Sequence, residues 1–280
     1  MLSCQGNDEY YSIMDTKIQM SNIVGRGEEC TIIKACMTLS RHLILEGPVG
    51  VGKTFLAQYS ASLIERPLVR IDGDPQYTSE KLVGYFDPPM VIEHGYKKEF
   101  FMEGPLLKAM NEGTILFINE LNRLPTILQN LLLTTLDEKK LFIPRLGWKE
   151  AQPGFCVIAT QNPHDFIGTQ PLSEALLDRF ERLPIDYQSY EEELEMVEPI
   201  AVSFEIKDKA VQLIRETRHH PQIKRGASIR AAQAILLLYQ ELKDFSLCAK
   251  LALSTRIEWK EEGPSSLDTL IAELEKKNHN

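Results

Sequence analysis

The chain has no apolar run approaching membrane-spanning length, and Asp8 and Glu9 stand where a secretory signal would need basic residues. Neither a membrane span nor a signal peptide is expected. An excess of basic charge is also missing: 31 Lys and Arg face 40 Asp and Glu, for a formal net charge of −9. That balance disfavours a surface that holds nucleic acid by neutralising phosphates, although a local basic patch is compatible with it. The five cysteines, Cys4, Cys30, Cys36, Cys156 and Cys248, are odd in number and form no C-x-x-C pair. A disulfide framework and a zinc site are therefore not expected, and the thiols read as reduced packing residues of a soluble, cytoplasmic protein.

What is present begins with Gly47-Pro-Val-Gly-Val-Gly-Lys53-Thr54, which fits G-x-x-x-x-G-K-[ST]. The apolar run His42–Glu46 before it has strand character, and Phe55–Ile64 after it reads as a helix. In that context glycines let successive backbone N–H groups turn inward around phosphates, and the helix N-terminus adds partial positive charge. The nucleotide-binding set is Pro48, Val49, Gly50, Val51, Gly52, Lys53, Thr54 and Phe55, with Lys53 reaching the phosphates and Thr54 placing its hydroxyl on Mg²⁺.

Residues 1–22 are polar and weakly patterned and read as a mobile or partner-dependent leader. Residues 23–187 read as an α/β nucleotide-binding core. A turn at Ile23–Arg26 feeds an amphipathic helix, and Leu68–Ile71 is a second strand. Met90–Glu93 and Lys97–Met102, flanking His94-Gly95-Tyr96, read as a β-hairpin, and Leu141–Trp148 as a second hairpin or loop. Pro105–Glu112 has proline in its first turn and Gly113 just past its end, as a bounded helix should. Thr114–Ile118 is a buried strand ending in Asn119-Glu120, at the carboxyl end where α/β sheets place their chemistry. Phosphate-loop ATPases carry an acidic pair there, one member for hydrated Mg²⁺ and one to polarise water. Glu120 is therefore the candidate general base. Asn119 offers an amide oxygen to the metal but no charge. Phe155–Thr160 is a further strand leading to Asn162, which is placed either to orient a water or the γ-phosphate or simply to form a turn before Pro163. Arg182–Asp186 supplies the fifth strand. Residues 188–280 turn helical, with Arg230 in the first turn of a helix capped by Ser228, where a cation is unfavourable unless it meets an anion.

Together these stations resemble the AAA+ ATPases and, within them, the MoxR family. The resemblance spans roughly residues 23 to 262 and rests on Gly47–Thr54 (Walker A), Gly113–Arg123 (Walker B and its continuation), Ala159–Pro163 (sensor 1), Gly168–Phe180 and Gly226–Arg230 (sensor 2). It implies a P-loop NTPase fold, a five-stranded parallel sheet core with a C-terminal all-helical lid, and ATP with Mg²⁺ bound at the subunit interfaces of a homo-oligomeric ring, usually a hexamer. It further implies that Arg179, or failing that Arg182, acts as an arginine finger on a neighbour's ATP. By the same likeness Arg230 senses phosphate, Asn162 serves as sensor 1, and Val24 and Gly25 line the adenine pocket. The two projections at His94–Tyr96 and Leu141–Trp148 would contact clients or neighbours. Such proteins are chaperones that remodel or mature a partner complex, frequently with a von Willebrand factor A-domain protein. The resulting expectation is an ATP-hydrolysing remodelling ring. The alternatives are a nucleotide-binding assembly switch with little hydrolysis, motivated by Asn119, and a nucleic-acid motor, which the acidic balance disfavours.

Overall fold

The computed structural model describes residues 23–163, 168–260, 267 and 269–271. The chain divides into two compact units, Met1–Pro48 with Gly52–Ile185 and Val49–Val51 with Asp186–Asn280. The first is built on five parallel strands, β1 (Leu43–Glu46), β2 (Leu68–Asp72), β5 (Ile115–Asn119), β8 (Cys156–Gln161) and β9 (Glu181–Pro184), in the order β2-β5-β8-β1-β9. Parallel neighbours need crossovers, and helices supply them: α1 (Gly27–Thr38) precedes β1, α2 (Lys53–Leu63) links β1 to β2, α3 (Ser79–Val83) and α5 (Pro105–Glu112) follow β2, and α6 (Thr126–Glu138) follows β5. β5 and β8 lie inside the sheet, and their apolar residues, from Ile115 to Ile118 and from Cys156 to Ala159, are buried. This is why they read as continuous apolar runs and not as alternating ones. Arg66 ties the amino-terminal edge together by donating to the carbonyls of Met37, Gly113 and Gly154.

Two antiparallel pairs project from this core. The first corrects the expected hairpin: β3 (Gly84–Phe86) pairs with β4 (Phe101–Glu103), and between them Pro88–His94 forms a helix, α4, followed by a 3-10 turn at Lys98–Phe100. Pro88 and Pro89 preset φ in the first helical turn, and Gly95, at φ 73°, closes it. The apolar run Met90–Ile92 has strand character, but these helix boundaries outweigh it. The second pair, β6 (Lys140–Ile143) with β7 (Gly147–Glu150), matches the expected hairpin. Arg145 of this turn stacks on Tyr96 of the first projection, its guanidinium carbon 3.6 Å from the ring centroid. Among the described residues between β8 and β9 the chain forms one short helix, α7 (Glu174–Leu177), capped by the Ser173 side chain.

The second unit contains α8 (Tyr190–Val197), α9 (Phe204–His219), α10 (Ile229–Leu242) and α11 (Phe245–Leu253). Their apolar faces share one core around Ile214, Ile235, Leu236 and Cys248. The expectation of purely helical structure is corrected in one detail: β10 (Ile223–Arg225) pairs antiparallel with β11 (Glu258–Trp259). Both strands are too short to show a period of two. Glu193 is buried in this unit, paired with Arg215 at 2.9 Å and Arg218 at 2.7 Å. Most of the part beyond residue 260 of the region expected to be helical lies outside the described residues. The described cysteines are free thiols, and burial pushes Cys156 up to about 11, consistent with packing.

Candidate functional site

The glycine loop leaves β1 and enters α2 with Gly50 at φ 85° and Gly52 at φ 89°, left-handed positions that the glycines make accessible. At its entry, a Cβ on Gly47 would lie 1.9 Å from the carbonyl oxygen of Ile185, so only glycine fits. The loop therefore bends tightly at the carboxyl edge of the sheet. Lys53 folds back over it, its Nζ donating to the carbonyl oxygens of Gly47 and Pro48 at 2.8 Å each. An ammonium held by backbone acceptors at the mouth of a glycine loop suits an anion's oxygens. Phe55 stacks on Tyr59 one turn further along α2. Val24 and Gly25 lie in the turn before α1, with Gly25 at φ 66°.

The second wall is the end of β5. The hydroxyl of Thr54 donates to Asn119 Oδ1 at 2.8 Å, joining the loop to the strand. Asn119 Oδ1 also accepts from Thr160, on neighbouring β8, at 3.0 Å. Its Nδ2 donates to Asp72 Oδ1 at 2.8 Å, across the β2–β5 register that sets Asp72 opposite Asn119. Partial burial works to raise the Asp72 carboxyl, but hydrogen bonds from Arg70 and Asn119 outweigh it and hold the group below its ordinary range. Gly73 lets this close packing happen, because a Cβ there would lie 2.1 Å from the Glu120 carbonyl oxygen. Glu120 itself sits in the left-handed region at φ 58°, with its backbone N–H donating to the Thr160 hydroxyl. Its carboxylate pairs with Arg123 at 2.9 Å.

The remaining expected residues fall in different places. Asn162 follows β8 directly, and its carbonyl accepts from Asn122. Arg179 lies just beyond α7 and pairs with Asp137 and Asp178, at 3.1 Å each. Arg182, on β9, is bound to Glu46, a buried carboxylate that also accepts from Gln161. Arg230 is exposed in the first turn of α10, and Ser228 occupies the cap position without a side-chain cap bond. Thus Lys53, Thr54, Asn119 and Glu120 come together around one sheet edge, while Arg230 belongs to the second unit. Asp72, Thr160 and Arg123 were missed by sequence reasoning. The signal for the first two was available: each ends or nearly ends a strand of the parallel sheet at its carboxyl end, as Asn119 does, Asp72 on the edge strand β2 and Thr160 on the inner strand β8.

The donor set suits Mg²⁺. Two neutral oxygens, from Thr54 and Asn119, meet there, with the Asp72 carboxylate on the other end of the Asn119 amide, and hard oxygens of this kind are what the ion takes near phosphates. Among the described residues no group of three or more His, Cys, Asp or Glu could hold a metal.

Residues 42–180, just under half of the chain, match the family model described as AAA domain (dynein-related subfamily). The chain is similar to the gas vesicle ATPase GvpN of Haloferax mediterranei, 31% identical over 225 residues, covering 73% of this chain and 65% of that one. It is also 38% identical to an uncharacterised Staphylococcus saprophyticus protein over 156 residues, 55% of this chain and 59% of that one. The chain therefore spans less than two thirds of the length of these curated relatives. Among solved structures, an ATPase-like protein from Cytophaga hutchinsonii matches with a TM-score of 0.51 at 22% identity, covering 91% of this chain and 90% of that one. A RuvB variant from Thermotoga maritima gives 0.53 at 18% identity over 82% of this chain and 69% of that one. Both are likenesses of fold, and they agree with the phosphate-loop architecture described above.

Proposed function

We propose that this chain, whose residues 42–180 form an AAA+ domain, binds ATP with Mg²⁺ and hydrolyses it in a MoxR-type ring that remodels or matures a protein complex. The observation that carries the proposal is the 2.8 Å bond between Thr54 and Asn119, which unites the two halves of a phosphate and metal site. Thr54 and Asn119 would hold Mg²⁺, which when bound would neutralise phosphate charge. The chain's own residues divide the remaining work. Backbone N–H groups of the loop and the start of α2 bind phosphate, and Lys53 exchanges its two carbonyl partners for phosphate oxygens. Glu120 orients and deprotonates water once its carboxylate turns from Arg123, while Asn162 positions the same water from the end of β8. Arg179, held in the single chain by Asp137 and Asp178, would be the group presented to a neighbour's ATP, with Arg182 the substitute. Arg230 would answer to phosphate from the second unit, and Val24 and Gly25 would border adenine.

The client side of the proposal draws on the two projections. Ile92 on the first projection and Phe142 and Trp148 on the second are 87%, 55% and 60% exposed, and they are the groups this reading assigns to client contact. A von Willebrand factor A-domain protein is the partner class the MoxR resemblance suggests, and the likeness to a gas vesicle ATPase supports a complex-maturing role. Asn119 favours a second reading, a nucleotide-bound assembly switch with little turnover. Calorimetric titration with ATP tests the site directly: Lys53→Ala should weaken binding by about 10–100-fold, the worth of charge-assisted bonds to phosphate. Equal affinity in the variant would overturn the assignment.

A further inference from the structure

We infer that Asp72 is the positioning residue that lets Asn119 serve as the metal-side oxygen at a place where phosphate-loop ATPases usually carry a carboxylate. The inference rests on the nucleotide reading above and concerns how its metal half works. A carboxamide presents an acceptor at one end and a donor at the other, and which end faces the metal depends on its neighbours. Two of those neighbours, Thr54 and Thr160, are hydroxyls that either donate or accept, so they impose no orientation. An ionised carboxylate only accepts. With Asp72 Oδ1 2.8 Å away, the Asn119 Nδ2 must face β2, and Oδ1 is thereby turned toward Thr54. The reversed amide would set a carbonyl oxygen against a carboxylate oxygen.

Asp72 is itself fixed. Arg70 grips it twice, Nη2 to Oδ1 at 2.7 Å and Nε to Oδ2 at 3.1 Å, on the same strand. The parallel register brings the two residues opposite each other, and Gly73 allows β2 and β5 to stay in contact past their ends. The arrangement has the form of an outer partner that orients a metal ligand and raises its basicity, as carboxylates do for metal-bound imidazoles. Negative charge is thus supplied one hydrogen bond away from the ligand. Because the Asp72 side chain is 58% exposed, it can be removed without opening the core.

The test uses Mn²⁺ as the probe, with ADP present, and follows the free-ion signal by electron paramagnetic resonance. Asp72→Ala should raise the apparent dissociation constant for Mn²⁺ about tenfold, the low end of what loss of an outer partner costs. ADP affinity in excess chelator should stay at the parental value. Adding Asn119→Asp to Asp72→Ala should restore Mn²⁺ affinity, because a carboxylate has no donor end to misplace. Asn119→Asp alone should gain less than it does in the Asp72→Ala background, since two carboxylates would then lie side by side. Unchanged Mn²⁺ affinity in Asp72→Ala, or no restoration in the double variant, would overturn the inference. Parental protein that holds no ADP sensitive to Lys53→Ala would overturn the nucleotide reading first, and this inference with it.

Discussion

The glycine loop Gly47–Thr54 is built from eight consecutive residues, whereas the facing wall draws on three strands: Asn119 and the following Glu120 at the end of β5, Asp72 from β2 and Thr160 from β8. The loop's geometry is set locally, by glycines at φ 85° and 89° and by a lysine bonded to its own loop. The wall's geometry is set by register, which brings Asp72 opposite Asn119 and puts β8 alongside β5. A mostly local device tolerates little change in its own residues and leans on few distant ones, here the Ile185 carbonyl packed on Gly47 and Asn119 bonded to Thr54. An assembled device can lose a charge at one position and draw on another, and the pairing of Asn119 with Asp72 has that form.

The sharpest way to break the wall while leaving the loop intact is Glu120→Gln. Turnover should fall by about 10²–10⁴-fold, the range for loss of a general base, while ATP stays bound. A turnover assay paired with calorimetry checks both halves, and an unchanged rate would remove Glu120 from its role. A smaller effect is expected from Gly73→Ala, whose new Cβ would lie 2.1 Å from the Glu120 carbonyl oxygen and force the backbone to move. Urea denaturation should register a loss of about 1–3 kcal/mol, as for other overpacked sites. If stability is untouched, close packing of β2 on β5 does not govern the wall.

The smallest effect lies away from both walls, at His42 before β1. Its Nδ1 accepts from Val157 N–H at 3.0 Å, and burial, reinforced by Lys139, lowers its pKa to about 4. The unfolded chain therefore binds a proton below its ordinary value of 6.5 that the folded chain refuses until about 4. Stability must fall as pH drops through that window, by about 1 kcal/mol between roughly pH 7 and 5.5. Melting curves across that range should show the slope in the parent and lose it in His42→Gln. A slope of equal size in the variant would place it elsewhere.

Much of this was legible because its determinants are local. The glycine loop, the buried runs of β5 and β8 and the bounded helix Pro105–Glu112 are each specified by contiguous residues. The first projection was misread because Met90–Ile92 is apolar enough for a strand, while Pro88 and Pro89 fix a helical start. The pairing of β10 with β11 joins segments over thirty residues apart through strands of three and two residues, too short to carry a pattern. Asp72 escaped for a related reason. It is the last residue of a strand whose partner, β5, lies more than forty residues on, and only the register shows what it faces. Arg179 is singled out by resemblance alone, and what the structure shows of it is its pairing with Asp137 and Asp178 in the single chain.

The most direct test of the central claim is the ATPase rate per subunit against protein concentration at saturating Mg²⁺, with Lys53→Ala as the control. The account predicts a specific activity that climbs with concentration, because a neighbour's arginine completes each site, and a flat baseline for the variant. A rate near zero at every concentration, with ATP still bound by the parent, would contradict it and leave the assembly-switch reading in its place.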